Sequence, residues 1–302
     1  MKITWKKKIV ASVAMVVTGA LLVVTNYINL NRPLKVDYSQ QADMNHSMVG
    51  VQQDLLARAE AQEVATVIGR ISNISLSSYQ EIQEARELFE QASGDAKVYI
   101  DEEQLLEAET AYAELEQKRA DLLAEATANG DIYGVLEYAS YDVQYSGNEY
   151  LDSLVQDLIE KATDENMSRS EKLKACYDYM VLNYEYGYNY NYSYGNGPKS
   201  VAWATAFLRD GYGACNNWSS AFLYVARALG YDVDLYYGST ANSRGGSYEH
   251  YWPVFHMDGT DYIFDPQVER DITKKSGVIR YMRFGLTGSQ ASAKYFFSQV
   301  IQ

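Results

Sequence analysis

Cys215 is one of only two cysteines in this 302-residue chain, and its surroundings suit a reactive thiol. In the stretch GYGACNNWSSAF, Gly213 precedes the thiol, and an apolar stripe of helical spacing, beginning with Trp218 and Phe222, follows it. A helix that begins near Cys215 would present unpaired N–H groups and its positive dipole end to the sulfur. That placement favours the thiolate, which is the nucleophilic form of cysteine. Cys215 is therefore a candidate nucleophile.

The second cysteine, Cys176, has a different setting. It lies in SEKLKACYDYMVLNY, where apolar residues recur at helical spacing. Because free cysteine is commonly buried, we interpret Cys176 as a core position. A disulfide between Cys176 and Cys215 is the alternative for both residues.

A thiolate nucleophile needs a base beside it, and the base needs a group that orients it. Two of the three histidines, His250 and His256, share the segment EHYWPVFHMDGTDYIFDP. The Asp-Gly dipeptide in this segment predicts a two-residue hairpin turn, which opposes positions 252 and 265. Because residues two apart share one face of a sheet, His250 and Asp265 become diagonal neighbours within reach of an imidazole–carboxylate hydrogen bond. His256 would lie about 20 Å further along the strand, so we interpret it as structural or exposed.

The elements that must position these residues are helices followed by strands. Helical patterns at about 149–162 and 170–184 precede the one that begins near Cys215, and short β-like segments follow it. This order indicates an α+β domain. The side chains of Cys215, His250 and Asp265 are also types that bind zinc, but the sequence has no paired ligand spacing such as CxxC or HExxH. We therefore expect no metal and no cofactor.

In this order the motifs resemble the catalytic core of the transglutaminase-like superfamily. The shared marks are Gly213-x-Cys215, a helix ending in ALGY, His250 with an aromatic residue two positions later, and Asp265-Pro266. The resemblance covers residues 130–302 and implies a papain-like α+β catalytic domain. It implies that Cys215 is the nucleophile, His250 the general base and acid, and Asp265 the group that orients the imidazole. The implied chemistry is attack on an amide carbonyl, a thioester intermediate, and release to an amine or to water.

The region from 47 to 127 is poor in Gly and Pro and shows three amphipathic helical patterns. Their short connections predict an antiparallel three-helix bundle. The stretch VIGRISNISLSSYQEIQEARELFEQAS resembles the small three-helix modules of Gram-positive bacterial surface proteins, through Ile68-Gly69, its serine-led cap, and Ile82 with Ala85-Arg86. This resemblance implies a spacer or adhesion role for one copy of the module.

The first thirty residues have the character of an export or anchoring segment. Three lysines, from Lys6 to Lys8, precede an uncharged run of 17 residues from Ile9 to Thr25. Because no clear small-x-small cleavage site follows, we favour a membrane anchor with a cytoplasmic basic end over a cleaved signal. Residues 1–35 hold six of the 26 basic side chains and none of the 40 acidic ones, so the remainder is strongly acidic. Such a surface repels nucleic acid and suits an extracellular module.

A tyrosine-rich stretch, NYEYGYNYNYSYGNGPKS, runs from Asn183 to Ser200 with tyrosine at every second position from 184 to 194. Strict alternation is typical of a strand, whereas the intervening Asn, Gly and Ser fit a surface loop equally well. The tyrosines are either an aromatic rim for an extended peptide or glycan beside the cleft, or simply the surface of a loop.

Taken together, these observations predict an exported cysteine-dependent enzyme that acts on amide bonds of peptides or proteins, cell-wall peptides among them. It would be a peptidase or amidase, or a protein-crosslinking transglutaminase. We expect a single-pass protein of the cell membrane with an extracellular C-terminal domain, or a secreted protein if the N-terminal segment is cleaved. The alternative is a non-catalytic cell-surface adhesin or wall-binding protein on the same fold.

Overall fold

The structure, a computed structural model, describes residues 38–193, 197–241 and 245–301, with side chains from residue 47 onward. The predicted signal or anchor segment, residues 1–30, lies outside the described residues. Across these ranges, no helix combines the length and the apolar character that crossing a membrane requires.

Helices dominate the first part of the chain and most strands follow Cys215–Ala228, which confirms the predicted α+β class. The helices are α1 Tyr38–Ile68, α2 Tyr79–Gln91, α3 Gly94–Lys97, α4 Glu103–Asn129, α5 Ile132–Tyr138, α6 Glu149–Ala162, α7 Arg169–Asn183, α8 Lys199–Asp210, α9 Cys215–Ala228, α10 Pro266–Ser276 and α11 Gly288–Ala291. The strands are β1 Glu185–Tyr186, β2 Tyr212–Gly213, β3 Val233–Ala241, β4 Ser247–Met257, β5 Thr260–Ile263, β6 Leu286–Thr287 and β7 Tyr295–Ile301.

The three helical patterns expected near the N-terminus are present as α1, α2 and α4. Among the described residues, 38–67 and 86–101 form one compact unit, and 68–85 together with 102–301 form a second. The antiparallel bundle and the surface-protein module at 47–127 stay predictions.

In the smaller unit, polar side chains join α1 to the segment that contains α3. The Ser93 hydroxyl donates to the Glu60 carboxylate at 2.7 Å, and the Tyr99 hydroxyl donates to Asp54. Arg58 lies 2.8 Å from Asp54 and places its guanidinium over the Tyr99 ring, 4.2 Å from the ring centre. These contacts are on exposed surface, so they orient the two segments more than they stabilise them.

In the larger unit, five antiparallel strands form one sheet in the order β6-β5-β4-β3-β7. The central strand β4 pairs with β3, where His250 lies opposite Gly238. A Cβ atom on Gly238 would lie only 2.1 Å from the Phe296 carbonyl oxygen of β7. Glycine at position 238 of β3 therefore permits the close approach of β7 to β3.

The predicted hairpin between β4 and β5 is confirmed. Asp258 and Gly259 form the two-residue turn, both with positive φ angles of 47° and 86°. Met257 pairs with Thr260, and Val254 pairs with Ile263, which is the register that the Asp-Gly turn predicts. The face of the sheet on which His250 lies is thus set by this turn.

Helix α9 is the centre of the core, and its residues from Asn217 to Ala226 are all buried. Phe222 packs against Phe255 of the sheet, with ring centres 6.0 Å apart, and edge-on against Tyr177 of α7 at 5.5 Å. Burying a ring of this size stabilises the fold by about 2 kcal/mol. Because α9 is held on both sides, the residue at its start occupies a fixed place.

Candidate active site

Cys215 is the first residue of α9, as the sequence pattern predicts, and its side chain is half-buried. Gly213, two residues earlier, is required by packing, since a Cβ atom there would lie 2.4 Å from Asn217 Cβ and 2.8 Å from Phe207 Cδ2. The Asn217 side chain locks the turn, because its oxygen accepts from Ala214 N at 3.1 Å and its amide donates to Trp203 O at 3.1 Å. The packed turn before the helix start therefore holds the Cys215 thiol in a fixed position.

The other cysteine, Cys176, is fully buried in α7, which confirms its predicted place in the core. Burial raises the pKa of the Cys176 thiol to about 12. Both cysteines are free thiols, so the disulfide alternative does not apply. Cys176 is accordingly inert, and Cys215 is the accessible thiol of the chain.

His250 on β4 and Asp265 form a buried pair. Their side chains are 0% exposed, and His250 Nε2 lies 2.7 Å from Asp265 Oδ2. The imidazole stacks on Trp252, with ring centres 6.1 Å apart and an interplanar angle of 18°. Carboxylate and indole together fix the orientation of the imidazole ring.

Asp265 is not a strand residue, and here the sequence-based scheme needs correction. The β4–β5 ladder ends at Ile263, and Asp265 is the N-cap of α10, where its Oδ1 accepts from Val268 N at 3.0 Å. His250 and Asp265 nevertheless meet as the turn predicts. The reason is that the chain stays extended for one residue beyond the strand, where Phe264 N donates to Pro253 O at 3.4 Å.

Tyr295, at the start of β7, completes the surroundings of this carboxylate. Its hydroxyl donates to Asp265 Oδ2 at 2.7 Å, on the same oxygen that His250 contacts. Its ring lies 6.3 Å from the imidazole and 5.1 Å from Trp252. Sequence reasoning missed Tyr295, because it lies 30 residues beyond Asp265 and no local spacing marks it.

The ionisation of the buried pair follows from these contacts. Burial acts to lower the pKa of His250, but attraction to Asp265 and the proximity of Cys215 outweigh it and raise this pKa to about 10. Burial acts to raise the pKa of Asp265, but His250, the Val268 N–H and the Tyr295 hydroxyl outweigh it and lower this pKa. At neutral pH the pair is therefore an imidazolium and a carboxylate.

Cys215 is a second neighbour of this imidazole. Asp265 contacts Nε2 of the ring. The other ring nitrogen, Nδ1, is buried and has no hydrogen-bond partner in the described part of the chain. Cys215 lies close enough to the ring to contribute to its raised pKa. The imidazole of His250 thus has both the Asp265 carboxylate and the Cys215 thiol as neighbours.

His256 takes no part in this arrangement. Its Nδ1 lies 2.8 Å from Asp261 Oδ1, and its Nε2 lies 3.3 Å from Asp234 Oδ2. It is a partly exposed histidine beside the hairpin turn, in line with its interpretation from the sequence.

Among known proteins, residues 152–266 match the family model of the transglutaminase-like superfamily, a span that contains Cys215, His250 and Asp265. Among solved structures, a candidate cysteine protease from Cytophaga hutchinsonii is 15% identical with a TM-score of 0.29, covering 51% of this chain and 50% of its own. A TGase is 20% identical with a TM-score of 0.29, covering 50% of this chain and 38% of its own. The chain thus spans half or less of the length of these two proteins.

No curated protein matches the chain. The family match rests on the part of the chain that holds α6 to α9 and the central strands, and so on the elements that position Cys215 and His250. Residues 152–266 of this chain are therefore a transglutaminase-like domain.

Proposed function

We propose that this chain is a cysteine-dependent enzyme that acts on amide bonds of peptides or proteins. In this proposal Cys215 is the nucleophile, His250 the general base and acid, and Asp265 the group that orients the imidazole. No metal and no cofactor enters the chemistry.

One observation carries the proposal, namely the buried His250–Asp265 pair at 2.7 Å beside a half-exposed thiol at a helix start. Desolvating an ion pair is costly, and two apolar residues of the same size would pack here without that cost. A merely structural His–Asp pair would also gain nothing from a cysteine as neighbour. The arrangement is explained if the imidazolium serves the sulfur of Cys215.

In the first step, Cys215 Sγ attacks the carbonyl carbon of the amide, and a C–S bond forms. Negative charge develops on the carbonyl oxygen, and the backbone N–H of Cys215, which has no intrahelical acceptor because it is the first residue of α9, is a donor for it. His250, which carries the proton, donates it to the amide nitrogen. The C–N bond then breaks, the amine leaves, and a thioester on Cys215 remains.

In the second step, neutral His250 accepts a proton from water or from an amine as that nucleophile attacks the thioester carbon. The C–S bond breaks, and the sulfur returns as a thiolate beside the imidazolium. Water yields a carboxylic acid, and an amine yields a new amide. Asp265 stays ionised throughout and keeps Nε2 of the imidazole occupied, so that Nδ1 is the nitrogen that moves protons.

We favour water as the second nucleophile, and hence a peptidase or amidase. Cys215 is only half-buried, and several tyrosines of the tyrosine-rich stretch are exposed. Water therefore has access to the thioester. A crosslinking transglutaminase needs a site that admits an amine and limits water.

The cellular setting belongs to the proposal as well. The basic and apolar N-terminal segment supports an enzyme that acts outside the cell, held to the membrane or secreted, with peptides of the cell wall among its candidate substrates. The helices between 47 and 127 would then serve as a spacer between membrane and catalytic domain. The acidic remainder of the chain supports a substrate other than nucleic acid.

The choice between water and amine is tested with a glutamine-containing protein and a labelled primary amine. With the full chain we expect release of amide-derived amine without incorporation of label, and we expect the release to disappear in Cys215→Ala. Incorporation of label that depends on Cys215 would contradict the hydrolase and establish the crosslinker. The measurement is label bound to protein, compared with amine released into solution, in the same reaction.

A further inference from the structure

Three exposed tyrosines form a row that starts beside the candidate nucleophile. The rings of Tyr186 and Tyr188 have centres 6.4 Å apart, and those of Tyr188 and Tyr190 are stacked at 6.2 Å with an interplanar angle of 3°. Tyr188 is 70% exposed and Tyr190 is 75% exposed. Such large aromatic surfaces, open to solvent, contribute little to the core of the fold.

The row is connected to the site through β1 and β2. Tyr186 pairs with Gly213, which lies two residues before Cys215. Burial is the first cause that raises the pKa of Tyr186 to about 12, and the charge of Cys215 adds to it. The row therefore begins within electrostatic reach of the sulfur and extends away from it through Tyr188 and Tyr190.

A buried side chain holds the row in place. Asn189, between two of the tyrosines, is 2% exposed and donates from its amide to Ala206 O at 3.3 Å, Asp210 Oδ2 at 3.0 Å and Tyr212 O at 3.1 Å. The side chain of Asn189 is buried and those of Tyr188 and Tyr190 are exposed, which is the alternation of an extended chain. The tyrosines are thus presented by an anchored backbone.

The backbone beside the row has one open edge. Glu185 N donates to Gly211 O at 3.0 Å and Gly187 N to Gly213 O at 3.1 Å, so these groups face β2. Because backbone polar groups alternate in direction along a strand, the N–H and C=O of Tyr186 face the other way. The sheet that contains β1 has only β1 and β2 among the described residues, so no strand of that part of the chain covers this edge.

We propose that Tyr186, Tyr188 and Tyr190 bind an extended polypeptide segment of the substrate, and so direct its reacting amide to Cys215. The proposal rests on the proposed function of Cys215 and names the residues that would hold its polypeptide substrate. A polypeptide fits because its backbone can pair with the open edge at Tyr186. It fits also because two residues of an extended chain span about 6.6 Å, so that every second side chain of the substrate meets one tyrosine ring.

The test measures binding in a Cys215→Ala background, where no turnover occurs. The probe is fluorescently labelled β-casein, an unfolded and glutamine-containing polypeptide, and the readout is its Kd by anisotropy with the full chain. We expect the double substitution of Tyr188 and Tyr190 by alanine to raise this Kd about tenfold or more, because truncated aromatic anchors commonly cost that much. Substitution of both by phenylalanine should keep most of the binding.

A matched control is Tyr145→Ala. Tyr145 is 78% exposed, and its neighbour Gln144 donates to Arg227 O, at the end of α9 opposite to Cys215. We expect the casein Kd of this variant to be unchanged. A thermal melt of each variant separates a loss of binding from a loss of fold.

Three results would overturn the proposal: no binding of casein by the Cys215→Ala chain, an unchanged Kd in the double alanine variant, or displacement of casein by a soluble chitin oligosaccharide. The last result would assign the row to glycans instead. Because binding is measured without catalysis, failure of the proposed enzyme activity with an intact tyrosine effect would leave the row assigned and reject only the chemistry of Cys215.

Discussion

Cys215→Ala is expected to lower kcat/KM for a peptide amide by roughly 10³-fold or more, because removal of a covalent nucleophile leaves only binding and oxyanion stabilisation. Folding should be nearly unaffected, since Cys215 is half-buried at a helix start and alanine is a good helix former. The measurement is steady-state hydrolysis of an unfolded polypeptide, with a thermal melt of the same preparation.

The control for this substitution is Cys176→Ala, which removes the other thiol. Cys176 is fully buried in α7, so we expect a lower melting temperature with kcat/KM retained at temperatures where the variant is folded. Full activity of Cys215→Ala would reject Cys215 as nucleophile. The adhesin interpretation would be favoured by two results together: the parent chain acts on no amide, and Cys215→Ala keeps the cell-surface binding of the parent.

Asp265→Asn is expected to lower kcat/KM on the order of 10³-fold while the fold is kept, because a neutral amide no longer stabilises the imidazolium. Asparagine is as good an N-cap as aspartate, so the hydrogen bond from Val268 N that starts α10 can persist. The loss should therefore appear in kcat/KM far more than in the melting temperature. An activity close to that of the parent chain would show that the His250–Asp265 pair is structural.

The pH dependence supplies a second readout for Asp265→Asn. In the parent chain Asp265 helps to hold the pKa of His250 at about 10, so the imidazolium that donates to the leaving amine is lost only at alkaline pH. Without the carboxylate this pKa falls, and the alkaline limb of the kcat/KM profile should move to lower pH. Tyr295→Phe removes one hydrogen bond to Asp265 but keeps the charge that holds the pKa of His250 up, so the limb should stay at alkaline pH.

The same pair links stability to pH with a definite sign. Because the folded-state pKa of His250 is raised, its contribution is complete below the unfolded pKa of about 6.5 and disappears as pH rises through about 10. Because that of Asp265 is lowered, its contribution is present above an unfolded pKa of about 3.9 and disappears as pH falls below it. Asp265→Asn should flatten both limbs of the stability profile.

Local chemistry made part of this site predictable from the sequence. Glycine at position 213 followed by an apolar helical stripe located the helix start at Cys215, and the structure begins α9 at that residue. The Asp-Gly turn set the β4–β5 register, and the period of two along a strand then placed His250 on the face that meets Asp265. These are short-range effects, and they act within one helix or one hairpin.

What could not be predicted depends on contacts between distant segments. Tyr295 reaches Asp265 only because β7 pairs with β3, and nothing near position 295 encodes that pairing. The N-cap role of Asp265 was hidden for a related reason, since Asp-Pro fits a strand end and a helix start alike. Gly238 is explained only by the approach of Phe296 from β7.

The most direct test of the central claim, that His250 activates Cys215, is the rate of alkylation of Cys215 by iodoacetamide at about pH 6, where an ordinary thiol is almost fully protonated. Cys176 is an internal reference, because its burial should leave it unlabelled in the folded chain. We expect Cys215 to react much faster than a model thiol such as glutathione, and we expect that advantage to disappear in His250→Ala. A Cys215 that reacts no faster than glutathione, or equally fast with and without His250, would contradict the account.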